Sequence, residues 1–178
     1  MPDDVIIGAD KITLPQKFGR LGLKLIGYLS FFPPLLTRLL MGYAFYLTGK
    51  GKLSDVSRVT EFFTGLGIPF PAANAAFISN LEYYGGILLI LGLCTRPIAA
   101  LLASTMAVAL MTAERADFLS ALSGIFGAES KKDLSDITPV IYGAFLVWLV
   151  IYGPGLISLD AIIRKLLRID KPKPDAAS

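Results

Sequence analysis

The sequence predicts an all-α integral membrane protein: a four-helix bundle with an amphipathic interfacial helix at each end. Three observations predict it. Apolar residues make up 54% of the 178 residues and charged residues only 17%, where a soluble domain carries about 25% charge. The apolar residues gather in runs that proline and glycine interrupt. The basic residues sit beside those runs rather than in a separate tail, which favours a lipid surface over nucleic acid as the partner of the net charge of +3.

Residues 1–30 form the first unit. Asp3, Asp4 and Asp10 stand where the basic region of a cleavable leader belongs, so the first membrane segment is expected to serve as the targeting element. From Leu14 to Leu29 the apolar residues Leu14, Phe18, Leu21, Leu25 and Leu29 recur at steps of three and four. Lys17, Arg20 and Lys24 follow a neighbouring stripe. That combination describes a helix lying in the headgroup layer against anionic lipid.

The bundle is expected over residues 31–157, with spans at 31–49, 75–93, 97–113 and 137–152. Pro33 and Pro34 suit the first turn of the first span, where a missing N–H costs nothing. A polar stretch, Lys50 to Thr64, and a proline-rich turn, Leu66 to Pro71, lead to the second span. Cys94-Thr95-Arg96-Pro97 turns the chain into the third, where Ala99, Ala103 and Ala107 repeat four apart and permit close helix approach. Residues 118–136 read as a loop of mixed character, with Phe118, Leu119, Leu122, Ile125 and Phe126 able to form one short surface helix. Gly153-Pro154-Gly155 ends the fourth span. Residues 158–178 then hold a second basic amphipathic helix, capped by Ser158 and carrying Arg164, Lys165 and Arg168, and a proline-rich tail.

Four crossings leave both termini on one side. Ten Lys and Arg residues fall on that side and six on the other, with Arg38 inside a span. The positive-inside rule therefore places both termini in the cytoplasm of a bacterial-type inner membrane.

Chemistry is constrained first by what is missing. The chain has no histidine and one cysteine, Cys94. Histidine-held haem, histidine-ligated zinc, a Ser-His-Asp triad and an intrachain disulfide are excluded, and no metal-ligand cluster or phosphate loop is present. Arg38 and Glu82 are the charges well inside expected spans. A lone charge there costs at least about 2.5–3.5 kcal/mol on insertion scales, so it faces inward and finds a partner. Counting from the expected helix ends, their depths differ by about 8 Å, and an Arg38–Glu82 ion pair is expected, direct or through a polar neighbour. Asn80, Tyr83, Tyr84 and Tyr43 are the candidates to line a pocket around it. Two readings of the pair stand: a polar pocket for a headgroup or a proton, and a buried pair that fixes helix register. Lys52 and Arg96 are expected as surface anchors or ligand contacts. Cys94 reads as a packing residue, an acylation site or half of an intermolecular disulfide.

The order of these residues resembles the DoxX family of small four-span membrane proteins. The match begins with Arg38, Gly42, Phe45, Gly49 and Lys52, and continues through Phe63, Gly67, Pro69 and Pro71. It then follows Glu82, Gly85-Gly86, Leu89, Gly92, Thr95-Arg96 and Ala99-Ala100, and closes with Gly153-Pro154-Gly155, Ser158, Leu159 and Asp160. What the resemblance implies is a bundle tied to membrane redox complexes, including thiosulfate:quinone oxidoreductase, or to thiol and oxidative-stress systems.

The resulting expectation is an accessory or structural subunit of a membrane redox or respiratory complex. It is not catalytic alone, carries no covalently bound cofactor, and binds a quinone or a lipid. Its partners are the bilayer and other membrane or peripheral subunits. Two alternatives stand beside it: the catalytic membrane subunit of a quinone-linked thiosulfate oxidoreductase, and a small lipid or solute carrier.

Overall fold

The computed structural model describes residues 31–127 and 132–167. The expected N-terminal interfacial helix with Lys17, Arg20 and Lys24, and Arg168 with the tail, lie outside the described residues.

Seven α-helices and one 3₁₀ turn make up the described residues, with no strand among them. Helix α1 runs from Phe32 to Ser54 with prolines in its first turn. Asp55 caps the next helix, α2 (Val56–Gly65), by accepting the Arg58 N–H at 3.0 Å. Helix α3 (Pro71–Leu91) again starts on proline and ends where Gly92 turns left-handed at φ +70°. Helix α4 (Thr95–Met111) is followed by α5 (Arg115–Ile125), bent away from it by 84°. A 3₁₀ turn (Leu134–Asp136) leads into α6 (Thr138–Tyr152), which Gly153 ends, and α7 spans Leu159–Leu166.

The helices pair antiparallel. Helix α1 lies along α3 and α4 along α6, and α3 joins the two pairs. Between them sits a core of Phe45, Leu89, Leu102, Leu146 and Leu149, with the Phe45 and Tyr142 rings edge to face at 5.7 Å. A second cluster, Val59, Phe63 and Ala75, fastens α2 to α3.

The exterior is as apolar as the interior. On α6 only Leu146 and Leu149 are buried, while Ile141, Phe145, Val147 and Ile151 face outward. Leu40, Leu47, Phe77 and Leu101 extend the same surface over α1, α3 and α4. An apolar face of this extent calls for a lipid or protein neighbour rather than water. No single described helix is long and apolar enough to cross a membrane alone; α4 and α5 pass that test together, as a bent pair. The reason is visible in the residues. Arg38, Lys50 and Lys52 interrupt α1, Asn74, Asn80 and Glu82 interrupt α3, and α4 and α6 have 17 and 15 residues, short of the ~20 a crossing takes.

The expected spans correspond to α1, α3, α4 and α6, with displaced ends. Helix α1 passes through Gly49 and Gly51 to Ser54, because helix packing outweighs the weak helix preference of two glycines. Helix α3 starts four residues before Ala75, at Pro71. The stretch read only as polar contains α2, whose Val56, Val59 and Phe63 share one face. Of the stretch read as a loop able to hold one short helix, residues 118–125 lie in α5, which starts earlier, at Arg115, and ends before Phe126.

Candidate functional site

Two polar constellations stand at opposite ends of the α1–α3 pair. The glycines between them set the register. A Cβ on Gly49 would lie 2.2 Å from the Tyr83 backbone nitrogen, and one on Gly86 would lie 2.4 Å from that of Tyr46. Backbone therefore meets backbone at both places, which only glycine permits.

Lys52 lies three residues beyond Gly49, on the same face of α1. Its ammonium reaches Glu82, with Nζ 2.5 Å from Oε1. Glu82 is buried at 2% exposure, whereas the Lys52 side chain is one-third exposed. The second carboxylate oxygen, Oε2, is buried and meets no donor. Both residues line a cavity of about 430 Å³ bounded by α2, α3 and α4. Arg58 is its other charged residue, and Phe62, Phe63, Ile78 and Met106 give it apolar walls. An ion pair at the end of an apolar cavity of this size suits the polar head of an amphiphile.

The expected Arg38–Glu82 pair does not form. Arg38 is buried at 3% exposure and donates instead to two backbone carbonyls, from Nη1 to Pro154 at 2.7 Å and from Nη2 to Ile157 at 2.8 Å. A Cβ on Gly92 would touch its guanidinium, so Arg38 stands opposite Gly92. That is ten residues, or about 15 Å of helix, from Glu82. Counting depth from Lys50 and Ala75 misplaces both charges, because the helices extend past those residues and the glycine contacts set the crossing.

Around Arg38 the ends of four helices, α3, α4, α6 and α7, are tied together. Asp160 accepts the N–H of Cys94 at 2.8 Å and of Thr95 at 2.9 Å, capping α4 from the far end of the sequence. Its own N–H returns to the Gly92 carbonyl at 3.0 Å. Ser158 caps α7 through the Ala161 N–H. Arg96 donates to the Ile151 carbonyl at 3.1 Å and lies over Gly153. Arg38, Gly92, Thr95-Arg96, Gly153-Pro154-Gly155, Ser158 and Asp160, scattered in sequence, thus form one clasp.

The remaining candidates separate. None of Asn80, Tyr83, Tyr84 and Tyr43 lines the cavity. Tyr83 stacks between Tyr46 and Tyr84 on the other side of the crossing, with ring centres 5.3 and 5.0 Å apart. Asn80 turns its amide to the Ala76 carbonyl, and Tyr43 and Tyr84 face outward. Lys52, expected at the surface, is turned inward to Glu82. Arg164 and Lys165 are exposed on α7, beside the outward-facing Leu159, Ile162, Ile163 and Leu166. Sequence reasoning missed Arg58, Phe62 and Phe63. The helical spacing of Val56, Val59 and Phe63 would have placed them on one element.

The profile of the DoxX family matches residues 34–115. The chain is 30% identical to "Inner membrane protein YqjF" of Escherichia coli strain K12 over 131 residues, 74% of this chain and 92% of the relative. It is 32% identical to "Inner membrane protein YphA" of the same strain, over 71% of this chain and 86% of the relative. With "Putative oxidoreductase CatD" of Bacillus subtilis strain 168 it shares 33% identity over 44% of this chain and 57% of the relative. No solved structure matches.

Proposed function

This chain belongs to the DoxX family, and from that premise we propose that it is an inner-membrane accessory subunit of a redox assembly, its α2–α3–α4 cavity holding the headgroup of a quinone or a lipid. The observation that carries the reading is the Lys52–Glu82 pair, with its carboxylate buried, at the end of a largely apolar cavity. Intramembrane ion pairs are costly to bury, and they mark ligand or ion sites more often than plain packing. Two relatives carry inner-membrane names and a third an oxidoreductase name. A chain with one cysteine and no histidine has little to hold a redox centre of its own, which assigns it the supporting part. The apolar flank of α6 and the basic amphipathic α7 offer surfaces to neighbouring subunits and to anionic lipid.

Purification in mild detergent followed by mass spectrometry is expected to recover stoichiometric partner subunits together with a quinone or lipid. Recovery of the chain alone, turning over thiosulfate with a quinone analogue, would overturn the accessory assignment in favour of the catalytic one. A chain that carries a lipid with neither partner nor turnover would favour a carrier.

The Lys and Arg distribution supports a cytoplasmic position for the clasp. Cys94 is exposed there and is the chain's one thiol. A membrane-impermeant maleimide is expected to label it in inside-out vesicles and not in intact spheroplasts. The opposite pattern would reverse the orientation.

A further inference from the structure

Lys52 Nζ occupies one oxygen of the Glu82 carboxylate, at 2.5 Å. The other, Oε2, is buried and has no partner. A carboxylate in an ion pair accepts hydrogen bonds and donates none, so what Oε2 lacks is a donor. No group among the described residues supplies it, and Oε2 has no accessible surface where it lies, so a donor in the cavity that Glu82 lines meets it when the carboxylate turns toward that space. Beside it the cavity offers the opposite chemistry. Lys52 has further N–H donors beyond the one engaged with Glu82, and Arg58 brings a guanidinium from α2. The cavity lining thus carries one unmet acceptor, on Glu82, together with the cationic side chains of Lys52 and Arg58. A headgroup that complements it carries an O–H and, next to it, an oxygen that accepts. A purely acceptor headgroup leaves Oε2 unmet, and an anionic one sets negative oxygens against it.

The rest of the lining is apolar apart from Thr105 and Thr112, whose hydroxyls donate to the Leu102 and Val108 carbonyls, and the cavity opens outward. Phe62 and Val108 both line it and are exposed on the bundle surface, so a tail bound against Phe63, Ile78 and Met106 leaves between α2 and α4.

We propose that the cavity selects an uncharged amphiphile in its hydroxyl-bearing form, whose O–H donates to Glu82 Oε2 while a neighbouring oxygen accepts from Lys52 or Arg58. The proposal rests on the amphiphile-holding role given above and adds what that role leaves open, the hydrogen-bonding sense of the head. Two sources share this chemistry, a quinol and the glycerol head of a monoacylglycerol.

The test uses the full chain, immobilised in detergent and exposed to a decyl-substituted hydroquinone, a monoacylglycerol, the O-methyl ether of each, and a fatty acid of matched length. Retained ligand is read by mass spectrometry after washing. At least one hydroxyl-bearing probe is expected to be retained tenfold or more over its own ether and over the fatty acid, and whichever it is names the source. In Glu82→Met, checked for folding by its melting curve, that ratio is expected to fall to about one. If Glu82→Met does not fold, the comparison of hydroxyl and ether on the unaltered chain stands as the test. Equal retention of alcohol and ether by the unaltered chain, or preference for the fatty acid, would overturn the inference and leave the amphiphile cavity standing. Retention of no probe above an unrelated membrane protein would remove both.

Discussion

Gly49→Leu is expected to destabilise the fold by about 3 kcal/mol or more and to cut the yield of folded protein. A Cβ at this position would stand 2.2 Å from the Tyr83 nitrogen, 2.6 Å from its Cα and 2.7 Å from the Glu82 carbonyl carbon. All three are backbone atoms of α3, so no rotamer change relieves the contact and the helices have to part. Overpacking that side chains can absorb costs about 1–3 kcal/mol. Here the neighbours are rigid, and the cost is expected at or above about 3 kcal/mol, a large share of the 5–15 kcal/mol of a typical domain. Parting α1 from α3 also separates Lys52 from Glu82, so ligand retention falls with stability. Gly51, two residues on in the same helix, has open space where its Cβ would be. Gly51→Ala is expected to be neutral or to stabilise by up to about 1 kcal/mol through helix preference. Melting temperature in detergent and yield in the membrane fraction read both variants; a Gly49→Leu protein that melts like the unaltered chain would refute the crossing.

Arg38→Met is expected to release the C-terminal end of the fold while leaving the cavity in place. The substitution keeps an unbranched apolar stem and removes both donors. The Pro154 and Ile157 carbonyls are then left without partners. Both bonds are part-buried, and an unmet group costs about 1–3 kcal/mol, so roughly 2–6 kcal/mol is the expected upper range for the two. The loss concentrates in residues 153–166, whose amides are expected to exchange with solvent at least tenfold faster, whereas retention of the cavity ligand changes little. Arg38→Lys is not expected to rescue, because an ammonium on a flexible stem does not reproduce the planar fork that holds two carbonyls at once. Unchanged exchange over 153–166 would show that Arg38 does not hold the clasp.

Much of the bundle was legible because apolar runs punctuated by proline and glycine mark out the helices. Prolines at 33, 34, 71, 97 and 139 lie in the first turns of helices, and Gly92 and Gly153 end α3 and α6. Glu82 and Arg38 were legible as buried charges, since an ionised side chain in an apolar run has nowhere cheap to go. Their partners were not. Pairing across two helices depends on the register of the crossing, and that register is set by where Gly49 and Gly86 let the backbones touch. Glycine reads locally as a helix breaker, which hid the last turn of α1 and with it the inward turn of Lys52. The clasp was present in sequence as motif pieces more than a hundred residues apart. Their convergence is a property of the folded chain and has no local signature.

The clasp also constrains biogenesis. Arg38 emerges early in synthesis, but the carbonyls that satisfy it lie 116 and 119 residues downstream. At roughly 5–20 residues per second this cation waits on the order of ten seconds for its partners. During that interval the nascent chain holds an unmatched charge that the insertion machinery or a chaperone has to shelter, and a transcript ending before codon 154 yields a product that can never bury it.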